Sequence, residues 1–151
     1  MSADDGLRAI VHSRLGKAKG WHWTPIETGS TTAGVPDSHW AHEPTQLSGW
    51  VEHKATKGWA VTVRPHQVSW MLLHLRCGVH CTIMVRAKGK ASSKGIGDSL
   101  WAIDGNYVKI LAEHSLAELP EEALLGRWYG SPDMWNWYAV GAVLTGPRLR
   151  P

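Results

Sequence analysis

Gly49-Trp50-Val51-Glu52-His53-Lys54-Ala55 reads as a β-strand with two unlike faces. The two-residue period of a strand puts Val51 and His53 on one side and Trp50, Glu52 and Lys54 on the other. Working backwards, His42 to Ser48 reads as a turn and Asp37 to Ala41 as a short strand. Trp21 to Ile26 reads as a first strand, with Pro25 marking an edge because it cannot donate to a ladder. Working forwards, Arg64-Pro65 opens a helix, since proline suits the first helical position, where the N–H has no partner anyway. Val68, Met71, Leu72 and Leu75 give that helix an apolar stripe, and Gly78 stops it. In Val79 to Val85, Cys81, Ile83 and Val85 alternate with His80, Thr82 and Met84, which predicts a buried strand.

The flanks extend this pattern. Leu7, Ile10, Val11 and Leu15 recur at helical spacing up to Gly16, with Ser2 as the expected cap and Asp4 and Asp5 set against the helix dipole. Ala87 to Gly97 is rich in Lys, Ser and Gly and reads as exposed. Asp104-Gly105-Asn106, between Leu100–Ile103 and Tyr107–Leu111, predicts a hairpin. Pro120-Glu121-Glu122 opens a short helix, and the Trp-rich tail from Trp128 shows no readable period. The order helix, strands, helix, strand predicts the α/β class: a mixed central sheet flanked by helices. One domain over 1–151 is expected, with a core at about 4–88 and a hairpin, short helix and Trp-rich extension over 89–151.

Composition narrows the partners without choosing one. At 43% hydrophobic and 19% charged, the 151 residues can bury a core. No apolar run approaches the ~20 residues of a membrane span. The first residues lack a basic-then-apolar leader pattern, so a cytoplasmic location is expected. A formal charge of +3 permits a polyanionic partner. Two cysteines exclude a disulfide framework and a four-cysteine zinc site. His74, Cys77, His80 and Cys81 match no common zinc spacing, so packing roles are expected for them. There are ten Trp and no Phe; burial in the core or a dimer interface is expected for Trp128, Trp135 and Trp137 ahead of stacking on bases.

The chemistry concentrates between Glu27 and Gln67. Glu52 and Lys54 share a strand face, and Asp37, fifteen positions before Glu52 at the start of the preceding strand, converges on the same spot. Two carboxylates beside an ammonium suit Mg²⁺, which keeps several waters and completes its shell with phosphate oxygens. Such an ion acidifies a bound water and neutralises charge on a phosphate under attack, while Lys54 handles the attacking water. Taken singly, Asp37 reads as a turn residue after Pro36 and Glu52 with Lys54 as a solvated face; the joint order carries the reading.

Gly34-Val35-Pro36-Asp37, then Val51-Glu52-His53-Lys54-Ala55, then Arg64-Pro65-His66-Gln67-Val68-Ser69-Trp70 on the next helix resembles the PD-(D/E)XK nuclease superfamily. It is most similar to the virus-type replication-repair nucleases and the Holliday-junction-resolvase-like members. The resemblance covers roughly residues 4–85 and implies a restriction-endonuclease-like core and hydrolysis of DNA phosphodiesters with Mg²⁺ or Mn²⁺. It implies Asp37, Glu52 and Lys54 as the catalytic set, with Gln67 matching a glutamine on the helix behind the active site. Metal ligands would be Asp37, Glu52 and the backbone carbonyl of His53, with Glu27 or an acid of the first helix (Asp5, or Asp4) completing the set. The His53 side chain itself is expected to face away and serve structure.

Arg64, Lys57, Lys88, Lys90 and Lys94 are the expected contacts to the nucleic-acid backbone. A homodimer is expected, since paired sites are the simple way to cut two strands. The function expected is thus a metal-dependent endonuclease acting on DNA in a bacterial or phage-infected cell, with junction or branched DNA one of the substrates left open beside duplexes, flaps and single strands. The alternatives are a catalytically silent nucleic-acid-binding or interaction module on the same fold, or a partner protein working through its Trp-rich tail.

Overall fold

The computed structural model describes residues 4–27, 33–89 and 97–147; Ser2, Lys90 and Lys94 lie outside them. Helix α1 (Leu7–Leu15) buries Leu7, Val11 and Leu15, a spacing of four that turns one stripe inward. It starts later than the sequence suggests. Asp4 and Asp5 precede it, and the Asp4 carboxylate accepts the N–H groups of Gly6 (3.0 Å) and Arg8 (3.2 Å).

Strands β1 (Trp21–Pro25), β2 (Ser38–His42) and β3 (Leu47–Thr56) form an antiparallel meander, with Trp21 opposite His42 and Ser38 opposite Val51. β1 is an edge strand, where Pro25 interrupts no second ladder. At Gly49 an added Cβ would lie 2.7 Å from Trp40 Cζ2 and 2.8 Å from the His80 carbonyl oxygen, so the lack of a side chain lets β3 seat against its neighbours. Helix α2 (Pro65–Arg76) then returns the chain, and β4 (His80–Lys88) runs parallel to β3, a pairing that needs such a crossover. β5 (Asp98–Asp104) and β6 (Leu124–Tyr129) continue antiparallel, giving a six-stranded mixed open sheet in the order β1-β2-β3-β4-β5-β6.

Helices cover both faces. Val11, Trp40, Val51, Met84, Leu100, Val140 and Leu144 make the core beneath α1 and α4 (Trp137–Thr145). Met71, Cys81, Ile83, Val85, Trp101, Ile103 and Leu111 make the core beneath α2 and α3 (Val108–Glu113). The alternation expected in β4 is therefore present, and it feeds both cores. All ten Trp belong to or pack against one of the two cores; of the three for which burial was expected, Trp135 is buried and Trp128 and Trp137 are partly buried against the same core.

The hairpin expected at Asp104-Gly105-Asn106 does not form. Asp104 Oδ1 accepts the Asn106 backbone N–H at 3.0 Å and its side-chain amide at 2.9 Å, capping a 3-10 turn that runs into α3. Gly105 also lacks the positive φ that a type I′ turn requires. Residues 108–111 are thus helical, and β5 pairs with β4 on one side and β6 on the other. The short helix after Pro120 is a 3-10 turn (Glu121–Ala123) leading into β6. Among the described residues no helix is long and apolar enough to cross a membrane.

Candidate active site

β3 is buried over Val51-Glu52-His53, and its alternation sends Val51 beneath α1 while Glu52 and Lys54 meet Gln67 of α2. The β2–β3 register, continued one step beyond Ser38↔Val51, sets Asp37 opposite Glu52. Asp37 is delivered by Gly34-Val35-Pro36, which crosses the first turn of α2. Gly34 has φ +92°, and a Cβ there would sit 2.4 Å from the His66 carbonyl oxygen, so this close approach demands glycine. The result is an open cleft of about 610 Å³ lined by Asp4, Arg8, Asp37, Glu52, His53, Lys54, Thr62, Arg64 and Gln67, among others.

Gln67 is the hub. Its Oε1 accepts from Lys54 Nζ (3.1 Å) and from the Arg64 backbone N–H (2.9 Å), and its Nε2 donates to Glu52 Oε2 (3.2 Å). The same amide therefore caps α2 and links the acid to the ammonium. Burial, reinforced by the Asp37 charge, pushes the Glu52 carboxyl up to about 8, although Lys54 opposes the shift. Burial also pulls the Lys54 ammonium below its usual range, against the attraction of Glu52 and Asp37. Such opposed shifts in an acid and a neighbouring amine are common to ion-binding sites, proton-handling sites and buried structural ion pairs.

Of the residues expected at the site, Asp37, Glu52, Lys54, Gln67 and Arg64 line one cleft, and so does His53. Asp5 and Glu27 do not. Asp5 pairs with Lys88 at 2.6 Å, which holds its carboxyl below the usual range. Glu27 pairs with Arg8 at 3.0 Å on an exposed surface. Asp4 instead supplies the acid from the α1 end of the chain, close enough to add to the upward shift of Glu52. Lys57 and Lys88 lie outside the cleft lining.

The His53 ring is on the expected side of the strand, and what the strand pattern did not reveal is its contact with Asp37. The ring is fully buried, and its Nδ1 reaches Asp37 Oδ1 at 2.6 Å. Arg8 was not legible as a site residue at all. Its spacing of four from Asp4, one helical turn, is the signal that could have found it. Its guanidinium bridges the carbonyl oxygens of Ile26 (3.5 Å) and Asp37 (3.4 Å), fixing the strand end that presents the Asp37 carboxylate.

Among the described residues, no group of three or more His, Cys, Asp or Glu side chains is gathered closely enough to hold a metal by itself. Of the four residues weighed for zinc, His74 stacks on Trp70 at 3.6 Å, Cys81 is buried in a core and Cys77 is exposed. A Mg²⁺ site makes a smaller demand, one or two carboxylates with waters and substrate oxygens as the remainder. Asp37, opposite the buried Glu52 by strand register, and Glu52 itself are the two carboxylates that could hold such an ion. Compared with known proteins, the chain matches no family model, no curated protein and no solved structure.

Proposed function

We propose that the chain is a metal-dependent endodeoxyribonuclease built on a restriction-endonuclease-like core. The observation that carries this reading is the cleft in which Gln67 joins Glu52 to Lys54 with Asp37 opposite. The meander that places the two acids, followed by a crossover helix bringing the glutamine, supports the resemblance stated from sequence. Asp37 and Glu52 would hold Mg²⁺ or Mn²⁺, with the His53 carbonyl as a further donor; the ion supplies an acidified water and positive charge at the scissile phosphate. Lys54, desolvated and hydrogen-bonded to Gln67, would orient the attacking water and, in its neutral form, take that water's proton. Arg64 and Arg8 at the cleft wall bind the flanking phosphates. A homodimer with two such clefts, selective for branched DNA, belongs to the same proposal.

The test is incubation with branched, duplex and single-stranded DNAs in Mg²⁺, Mn²⁺ or EDTA. Cutting that needs the ion and disappears in Asp37→Ala and Lys54→Ala, with both variants folded, is the expected result. Full activity in either variant refutes the assignment. A silent binding module draws support from the His53 contact, which occupies one Asp37 oxygen. DNA binding unaffected by EDTA, with no cutting in any ion, would establish that reading instead.

A further inference from the structure

The Asp37–His53 contact joins residues from opposite faces of the sheet. β3 alternation sends Glu52 and Lys54 toward α2 and the His53 ring toward α1, where its centroid lies 6.2 Å from that of His12. Asp37, at the end of β2, reaches both. One oxygen is held by a fully buried imidazole, while the side chain remains 24% exposed and opposite Glu52. No bond to Asp37 Oδ2 occurs among the described residues. Beneath the ring, His12 Nε2 meets the hydroxyl of Ser38 at 2.7 Å, and burial keeps His12 down at about 4, hence neutral. His53 Nε2 is itself buried without a partner, so the polar contact that rewards an imidazole at this position is the one to Asp37. A carboxylate can only accept, which places a proton on Nδ1.

We propose that His53 is a positioning residue for the metal site: its Nδ1–H clamps Asp37 Oδ1 and leaves Oδ2 as the oxygen that would be offered to a cation shared with Glu52. This rests on the nuclease reading of the cleft and assigns it a part that the strand pattern alone does not reveal. A ligating carboxylate gains both orientation and a defined free oxygen from such a donor, and loss of an outer partner weakens metal binding by roughly 10–100-fold.

The experiment compares wild type, His53→Leu and His53→Asn, whose side-chain amide can replace the Nδ1–H donor. Mn²⁺ binding is titrated by electron paramagnetic resonance, and thermal unfolding without metal is recorded beside it. His53→Leu should weaken Mn²⁺ binding by roughly 10–100-fold, while His53→Asn recovers most of it, whatever their melting temperatures. Equal Mn²⁺ affinity in wild type and His53→Leu overturns the clamp while leaving the nuclease reading intact. Equal weakening in both variants also overturns it, since packing and not the donor would then matter. Should the leucine variant not fold, His53→Asn against His53→Gln, a donor at a different reach, decides the same point: matched affinities refute the clamp. Absence of Mn²⁺ binding by wild type overturns the clamp and the metal site together.

Discussion

Glu52→Gln tests the charge logic of the cleft without touching a substrate. The Glu52 carboxyl lies at about 8 in the folded protein against an ordinary 4.5, so between those values the folded state holds a proton that the unfolded state has released. Folding stability must therefore fall as pH rises through that window, by about 1.4 kcal/mol per unit. By pH 7 the loss is about 3 kcal/mol, and it levels off above pH 8. Glutamine keeps an oxygen for the Gln67 amide, which donates at 3.2 Å, but carries no charge. Urea unfolding in EDTA should show the variant about 3 kcal/mol more stable than wild type at pH 7 and equal to it near pH 4.

Excess Mg²⁺ should then stabilise wild type at pH 7 and stabilise the variant much less, because the variant keeps only Asp37 of the two proposed ligand carboxylates. Binding to wild type at pH 7 should release close to one proton, read by calorimetry in two buffers of different ionisation enthalpy. A variant that is less stable than wild type at pH 7, or a difference that ignores pH, would refute the argument.

Two further outcomes follow from the packing. Gln67→Ala removes the side-chain acceptor for the Arg64 N–H along with the links to Lys54 and Glu52, so thermal unfolding should show a loss of about 1 kcal/mol from the helix cap, and cleavage should slow far more than that loss implies. Truncation after Leu119 removes β6 and α4, and with them the fully buried Val140 and Leu144 and nearly buried Trp135. At about 1.5–3 kcal/mol for each buried side chain, this cut should leave no cooperative unfolding transition by circular dichroism. A folded fragment would show the last two elements to be dispensable.

Sequence reasoning located most of the first half of the fold because each element there announces its own period. β3 alternates, α2 carries Pro65 and a stripe, and β4 alternates into two cores. The second half failed where local chemistry outvoted a dipeptide rule: the Asp104 side chain captured Asn106 and turned a hairpin signal into a helix start. β6 was illegible because Gly126, Arg127, Trp128 and Tyr129 lack an apolar alternation; the Arg127 guanidinium lies over the Trp101 and Tyr129 rings at 4.7 and 5.1 Å, so a charged residue packs on aromatics there. At the site, residues sharing one strand face were readable, whereas Arg8 and the His53 side chain depend on how strand ends meet α1, which no single-segment period encodes.

The arrangement of charge around the cleft bears on why such an awkward acid is retained. Three acids (Asp4, Asp37 and Glu52) face three bases (Arg8, Lys54 and Arg64), and the N-terminal turns of both α1 and α2 contribute to the lining. Helix N-termini carry partial positive charge and favour anions. Were stability alone at stake, a neutral Glu52 position would serve better, as its upward shift to about 8 makes plain. A divalent cation changes the sign of that account: it recovers the cost of ionising Glu52 and leaves the cleft with surplus positive charge. Under the proposed function, that surplus charge at Arg64 and the helix ends is what a phosphate backbone would meet. Metal binding and polyanion binding are therefore expected to be linked, each strengthening the other, which neither a purely structural acid cluster nor a charge-neutral docking surface would produce.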